Sequence, residues 1–267
     1  MIRDITIGQY YPAASPIHKL DPRVKLAGTL IFLISLFLTE SVVGYVLATI
    51  FLAGIIKLSK VPLKFILRGL KAIFIILAFS VAFNLFLTSG EVLVQFWIFK
   101  ITKEGERIAL MMAIRLVYLI IGSSIMTLTT TPNDLTDGLE KSLSPLKKIK
   151  VPVHEIAMMM SIALRFIPIL MEETDKIMKA QMARGADFES GNIIKRAKSL
   201  VPILVPLFIS AFRRADDLAM AMEARCYHGG DGRTKMKPLK YKKHDFVAYI
   251  VLLTYLAAII CIKIFIG

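Results

Sequence analysis

Apolar and polar positions divide this chain into five long hydrophobic runs and one stretch of another kind. The runs are Val24–Leu38, Val42–Ile56, Phe65–Leu87, Ile108–Leu128 and Phe246–Ile266. A helix that crosses a bilayer needs about 20 apolar residues. The last three runs meet that length and the first two fall short of it. The polar Thr39-Glu40-Ser41 between the short pair predicts a helical hairpin, with Arg23, Lys25 and Lys57 snorkelling to the interface. Glu91–Lys103 alternates apolar and polar residues around Trp97 and Phe99, which predicts a short strand pair at the membrane surface.

Between Thr129 and Lys243 the pattern changes. The stretch has too much charge to span and too much apolar surface to be a loop. Pro145 and Pro152 punctuate its start. His154–Arg184 then predicts one long helix and Asn192–Arg225 a second, each with an apolar first half and a charged second half. Pro168, Pro202 and Pro206 predict bends, because proline removes a backbone bond inside a helix. Arg213 and Asp217, one turn apart, are spaced to pair. Gly185 and Gly191 flank the link between the two helices, and Gly229, Gly230 and Gly232 follow the second, as stop signals do. The expected architecture is an all-α integral membrane protein: transmembrane helices 1–4 in residues 1–128, a module of long amphipathic helices in 129–243, and a last transmembrane helix in 244–267.

Composition agrees. Of 267 residues, 56% are hydrophobic, and a mean hydropathy of +0.65 is too high for an ordinary soluble domain. The net charge of +14 then belongs to cytoplasmic loops facing anionic lipid. No basic-aromatic cluster suggests nucleic acid. Arg3, Arg23, Lys25, Lys57, Lys60, Lys64, Arg68, Lys71, Lys141, Lys147, Lys148 and Lys150 fall on one side of the predicted spans. Glu40, Glu91, Lys100, Lys103, Glu104 and Glu106 fall on the other. The positive-inside rule therefore predicts a cytoplasmic N-terminus and an external C-terminus. The basic run Arg233–Lys243 is expected against lipid headgroups. Cys226 and Cys261 show neither disulfide nor metal spacing. Met1–Lys25 has no apolar core, so no cleavable signal peptide is expected.

Residues that carry chemistry are scarce. There is no glycine-rich phosphate loop. His154-Glu155 opens like a zinc-protease motif, but position 158 is Met. Ser144 and Lys147 match a two-residue pattern too short to carry weight. Glu172, Glu173 and Asp175 share a helix with Lys176 and Lys179, as a solvated or salt-bridged face does. No set predicts an active site. Asn84 and Arg115 are the main polar intrusions in the spans, and snorkelling is one reading of Arg115. Met158, Met159, Met160, Met171, Met178, Met182, Met220 and Met222 give the two long helices an adaptable apolar surface, for packing or for a partner that moves.

One repeat stands out. Ala180-Gln181-Met182-Ala183-Arg184-Gly185 closes the first long helix, and Ala221-Met222-Glu223-Ala224-Arg225-Cys226 closes the second, 41 positions later. Small residues let a helix end approach another surface, and arginine offers a planar five-donor fork suited to a carboxylate. The pair suggests two matched plugs for a two-part partner.

At these residues the chain resembles the T component of energy-coupling factor transporters. Leu20-Asp21-Pro22-Arg23-Val24-Lys25-Leu26 resembles the family's motif ahead of its first span. Leu164-Arg165-Phe166-Ile167-Pro168 with Glu172 and the first arginine motif resembles one coupling helix, and Phe212-Arg213-Arg214-Ala215-Asp216 running to Ala224-Arg225 resembles the other. The resemblance implies a bacterial membrane scaffold with about five spans and a cytoplasmic module of crossed coupling helices. It implies two cytoplasmic ABC ATPase subunits and a membrane substrate-binding S component as partners, for uptake of vitamins or other micronutrients. The ATP and Mg would be held by the ATPases, with no cofactor on this chain. Docking would fall to Ala183, Arg184 and Gly185 and to Ala224, Arg225 and Cys226. Cys226 departs from the usual Gly or Ser, which puts a tight glycine-dependent turn there in question. A self-contained ion-coupled transporter is the alternative, and an integral-membrane enzyme a third reading.

Overall fold

The computed structural model describes residues 9–88, 92–96, 99–188, 192, 194, 198–230 and 235–266. Arg3, Glu91, Trp97, Ser190, Gly191, Gly232, Arg233 and part of the Asn192–Leu200 stretch lie outside the described residues. The elements are α1 (Pro22–Leu38), α2 (Val42–Ser59), α3 (Leu63–Leu87), β1 (Val92–Phe96), β2 (Phe99–Thr102), α4 (Lys103–Thr129) and α5 (Pro132–Ser142). A 3₁₀ turn (Ser144–Ile149) follows, then α6 (Val153–Ala183), α7 (Val201–Glu223) and α8 (Lys243–Ile266). The expected strand pair is present, β1 running antiparallel to β2.

By length and hydropathy α2, α4, α6 and α8 can each cross a membrane. So can α3, if its two arms, bent by 61°, form one span. The chain is an all-α integral membrane protein with four or five such helices. Two details differ from the sequence reading. The first half of α6 qualifies because its charges concentrate from Glu172 onward, leaving only Glu155 and Arg165 before Leu170. α1, at 17 residues, rises only about 25 Å.

The described residues form two compact units, one within 8–139 and 239–267, the other within 140–238. In the first, α1 packs along α4 and α8. It runs parallel to α8: Asp21 meets Asp245 at one end, Ser35 meets Tyr255 midway at 2.8 Å, and Glu40 meets Lys263 at 3.6 Å at the other. The short helix and its caps thus match the height of a full span. Phe32, Leu36, Ala48, Leu52, Ile66, Ile125, Tyr255 and Ile259 form the core, with Phe51 stacked on Tyr255 at 4.1 Å.

Three cations expected or suspected to snorkel are instead bonded inside this unit. Asp21 caps α1, accepting from the Arg23 amide and guanidinium at 2.9 Å. Burial opposes ionisation of Asp21, but the Arg23 bonds hold its carboxyl below the usual range. Arg23 also lies 3.7 Å over the Tyr241 ring. Lys25 donates to the Thr129 carbonyl at the end of α4, 2.7 Å away, where the helix dipole favours a cation. Arg115 donates to Tyr45 Oη and to the Thr39 carbonyl that ends α1, both at 3.1 Å. Asn84 is satisfied on its own helix by the Ser80 carbonyl.

Candidate functional site

The second unit holds the two long helices and almost no core. Val153, Ala157 and Ile203 are its buried apolar residues among those described, whereas Met159, Leu204, Val205, Phe208, Ile209, Phe212 and Met220 are each about half exposed or more. α6 and α7 pack on each other. Polar contacts join them: Arg214 Nη2 donates to Glu173 Oε2 at 2.9 Å, and Ser210 Oγ donates to Glu173 Oε1. The expected Arg213–Asp217 pair does not form. A solvated pair along one helix is worth only a few tenths of a kcal/mol, and the neighbouring Arg214 reaches across to α7's partner helix instead.

The arginine repeat folds into one structure made twice. After α6, the Gly185 amide donates to the Met182 carbonyl at 2.9 Å and the Ala186 amide to Gln181 at 3.0 Å. After α7, the Cys226 amide donates to Glu223 at 2.8 Å and the Tyr227 amide to Met222 at 3.1 Å. Both are the 5→2 and 6→1 bonds of a Schellman stop, with the left-handed position filled by Gly185 (φ +86°) and Cys226 (φ +54°). The doubt over Cys226 is resolved: the tight turn forms there too, although a Cβ in that conformation costs about 1–2 kcal/mol.

In both copies the arginine immediately precedes the left-handed residue. Ala183, Arg184 and Gly185 are exposed, and so are Ala224, Arg225 and Cys226. Among the described residues neither the Arg184 nor the Arg225 guanidinium has a hydrogen bond or ion pair, although both backbone amides are bonded within their helix ends. Each lies 11 residues beyond its member of the Glu173–Arg214 pair, about 16 Å along its helix. The two ends are therefore equidistant, along their own helices, from that ion pair.

The prolines divide. Pro168 and Pro206 lie inside α6 and α7. Pro202 occupies the first turn of α7, where a missing N–H is unpaired anyway, directly after helical Lys198 and Ser199 and a turn at Leu200. Pro206 leaves the Pro202 carbonyl without its helical donor, and Gln181 Nε2 of α6 approaches that oxygen at 3.5 Å.

Sequence reasoning missed a clasp at the base of this unit. Glu140 accepts from His154 Nδ1 at 2.9 Å and from Lys235 Nζ at 2.5 Å. Gly230 sits so close to the imidazole that a Cβ there would fall 2.2 Å from Cδ2. Burial pushes against ionisation of Glu140, but the bonds from His154 and Lys235 hold its carboxyl below the ordinary range. Residues this far apart in the chain left no local signal to find.

The family model described as cobalt transport protein matches residues 13–236. The chain is 58% identical to the energy-coupling factor transporter transmembrane protein of Clostridium kluyveri over 99% of its own length and 97% of that protein. It is 55% identical to the protein of that name in Ruminiclostridium cellulolyticum, over 96% and 99% of the two lengths. It is 49% identical to the one in Bacillus subtilis, over 97% and 98%. With the family model spanning most of the chain and relatives matched end to end, the chain belongs to the family of energy-coupling factor transporter transmembrane proteins.

Proposed function

We propose that this chain is a scaffold that couples two cytoplasmic ATPases to a separate substrate-binding membrane subunit. Ala183-Arg184-Gly185 docks in a groove of one ATPase and Ala224-Arg225-Cys226 in a groove of the other. Each guanidinium meets groove carboxylates. ATP and Mg stay on the ATPases, and this chain carries neither a catalytic centre nor a solute site of its own. When ATP draws the ATPases together, the grooves move the helix ends, and α6 and α7 turn about the Glu173–Arg214 pair. The exposed Met- and Phe-rich faces of those helices then shift against the substrate subunit and reorient it. Coupling of this kind needs an element with two arrangements that both partners bias. Vitamins or other micronutrients are the cargo class. The N-terminus is cytoplasmic and the C-terminus external; the parallel course of α1 and α8 supports an odd number of crossings.

The observation that carries this reading is the duplicated stop: two exposed arginines, each with its guanidinium unpaired among the described residues, held in the same turn at equal distances along their helices from the Glu173–Arg214 pair. The test is co-purification from mild detergent of the tagged chain expressed with two ATPases and a substrate subunit. Losing one partner of a desolvated charge pair costs about 2–5 kcal/mol. Arg184→Ala and Arg225→Ala should each weaken retention of the ATPases, and the double substitution should abolish it while the substrate subunit stays bound. Wild-type ATPase retention by the double variant overturns the reading. Uptake by the isolated chain in liposomes without ATP would favour the ion-coupled alternative.

A further inference from the structure

The segment from Lys141 to Lys150 belongs to no part of the docking ends. Every residue in it is exposed. It is nevertheless tightly built. Pro145 sits in the first turn of the 3₁₀ helix. The Leu146 amide bonds the Leu143 carbonyl at 2.9 Å, the Lys150 amide bonds Lys147 at 3.0 Å, and the Val151 amide bonds Leu146 at 3.3 Å. Lys150 takes the left-handed position, φ +62°, so this turn ends in the same kind of stop as the two arginine motifs, without the arginine.

A 3₁₀ helix has three residues per turn, so positions three apart stack on one edge. Leu143, Leu146 and Ile149 therefore form an apolar ridge, and they are 43%, 36% and 73% exposed. Lys147 and Lys148 stand on the flanking ridges, with Lys141 and Lys150 at the two ends. The ten residues contain four lysines and no acidic group. Covalent connection limits where the segment can go. Thirteen residues separate Thr129, the end of α4, from Ser142, eleven of them in α5. That tether reaches at most about 25 Å from the end of a membrane span.

We propose that this turn is an interfacial anchor: Leu143, Leu146 and Ile149 insert among the lipids of the cytoplasmic leaflet while the surrounding lysines bind anionic phospholipid headgroups. A protein partner would need acidic groups on all flanks of an apolar slot. An anionic bilayer surface supplies apolar depth at the centre and negative charge around it without further fit. The anchor fixes the first element of the second unit to the membrane surface, which leaves the α6 and α7 ends as the parts free to move.

The test uses the full chain with its single tryptophan removed (Trp97→Phe) and a reporter introduced as Ile149→Trp. The protein is reconstituted in vesicles of brominated phosphatidylcholine, with or without phosphatidylglycerol. Fluorescence at 149 should be quenched at least twofold more in the anionic vesicles than in the neutral ones. Replacing Lys141, Lys147, Lys148 and Lys150 together by Gln should remove that difference. The same reporter as Lys148→Trp, on a flanking ridge, should be quenched less than the one at 149. Circular dichroism and elution profile verify that the Gln variant is folded. If it is not, 0.5 M salt on the lysine-containing reporter replaces it and should reduce quenching likewise. Absence of quenching overturns the proposal. So does quenching indifferent to lipid charge and lysines, or shielding of the reporter that appears only when ATPases or substrate subunit are added.

Discussion

Glu173 of α6 and Arg214 of α7 form an ion pair at 2.9 Å, and they are 41 positions apart, the same offset that separates the two arginine motifs. Superimposing the repeat on itself therefore places Glu173 on Arg214: the helices are joined where equivalent positions carry opposite charge. Glu173→Arg brings two arginines together, and Arg214→Glu brings two carboxylates together. Each should cost on the order of 1 kcal/mol at this partly exposed site and lower ATP-driven uptake. The double exchange Glu173→Arg with Arg214→Glu restores the pair and should recover most of the loss. Uptake by the reconstituted complex checks this, and an exchange no better than the worse single variant would show that the contact between the helices does not depend on the pair.

Cys226 holds a left-handed conformation that glycine adopts without strain. Cys226→Gly should relieve about 1 kcal/mol in the turn, slowing hydrogen exchange of the Cys226 and Tyr227 amides about fivefold while ATPase retention is unchanged. Cys226→Val adds a second branch at Cβ and should speed the same exchange. Equal protection in all three proteins would mean that the turn is not in equilibrium with an open form.

Asp245 is 1% exposed and accepts from the Asp21 amide at 2.8 Å and the Lys242 amide at 2.7 Å. It joins the starts of α1 and α8. Asp245→Ala leaves the buried Asp21 amide unmet and removes the Lys242 cap, and should destabilise this unit by about 2 kcal/mol. Asp245→Asn keeps one acceptor oxygen and should cost about half as much. Thermal unfolding in detergent would reveal either ordering.

Those particulars show what periodicity can and cannot convey. Helix positions were legible because apolar runs are local: α2 begins at the predicted Val42, α3 ends at the predicted Leu87, and the strand pair follows from alternation alone. The arginine ends were legible because a motif repeated. The fate of individual charges was not, since it depends on which helices become neighbours. Arg23, Lys25 and Arg115 were expected or suspected to reach for water and instead close the ends of α1 and α4. Arg213 was expected to pair with Asp217 one turn along its own helix, whereas its neighbour Arg214 pairs across to Glu173 of α6. The Glu140–His154–Lys235 clasp draws on three distant segments and has no one-dimensional trace.

That clasp has a pH dependence whose sign is set by Glu140. Its carboxyl is held below the ordinary 4.5 in the folded protein, because bonds from His154 and Lys235 outweigh the cost of burial. A depressed folded value means that the unfolded chain binds the proton more readily, so the stabilisation is complete above about pH 4.5 and disappears as pH falls through the lowered folded value. Hydrogen exchange at Tyr227–Gly230, corrected for the intrinsic rate at each pH, should therefore stay protected from pH 7 down to about 5 and fall below 4.5. Glu140→Gln keeps the shape and removes the charge. It should lose roughly tenfold in protection at pH 7 and show no further step below pH 4.5, because the carboxyl whose lowered value sets that step is gone. A wild-type step that survives in Glu140→Gln would assign the titration to another group and leave the clasp a packing contact.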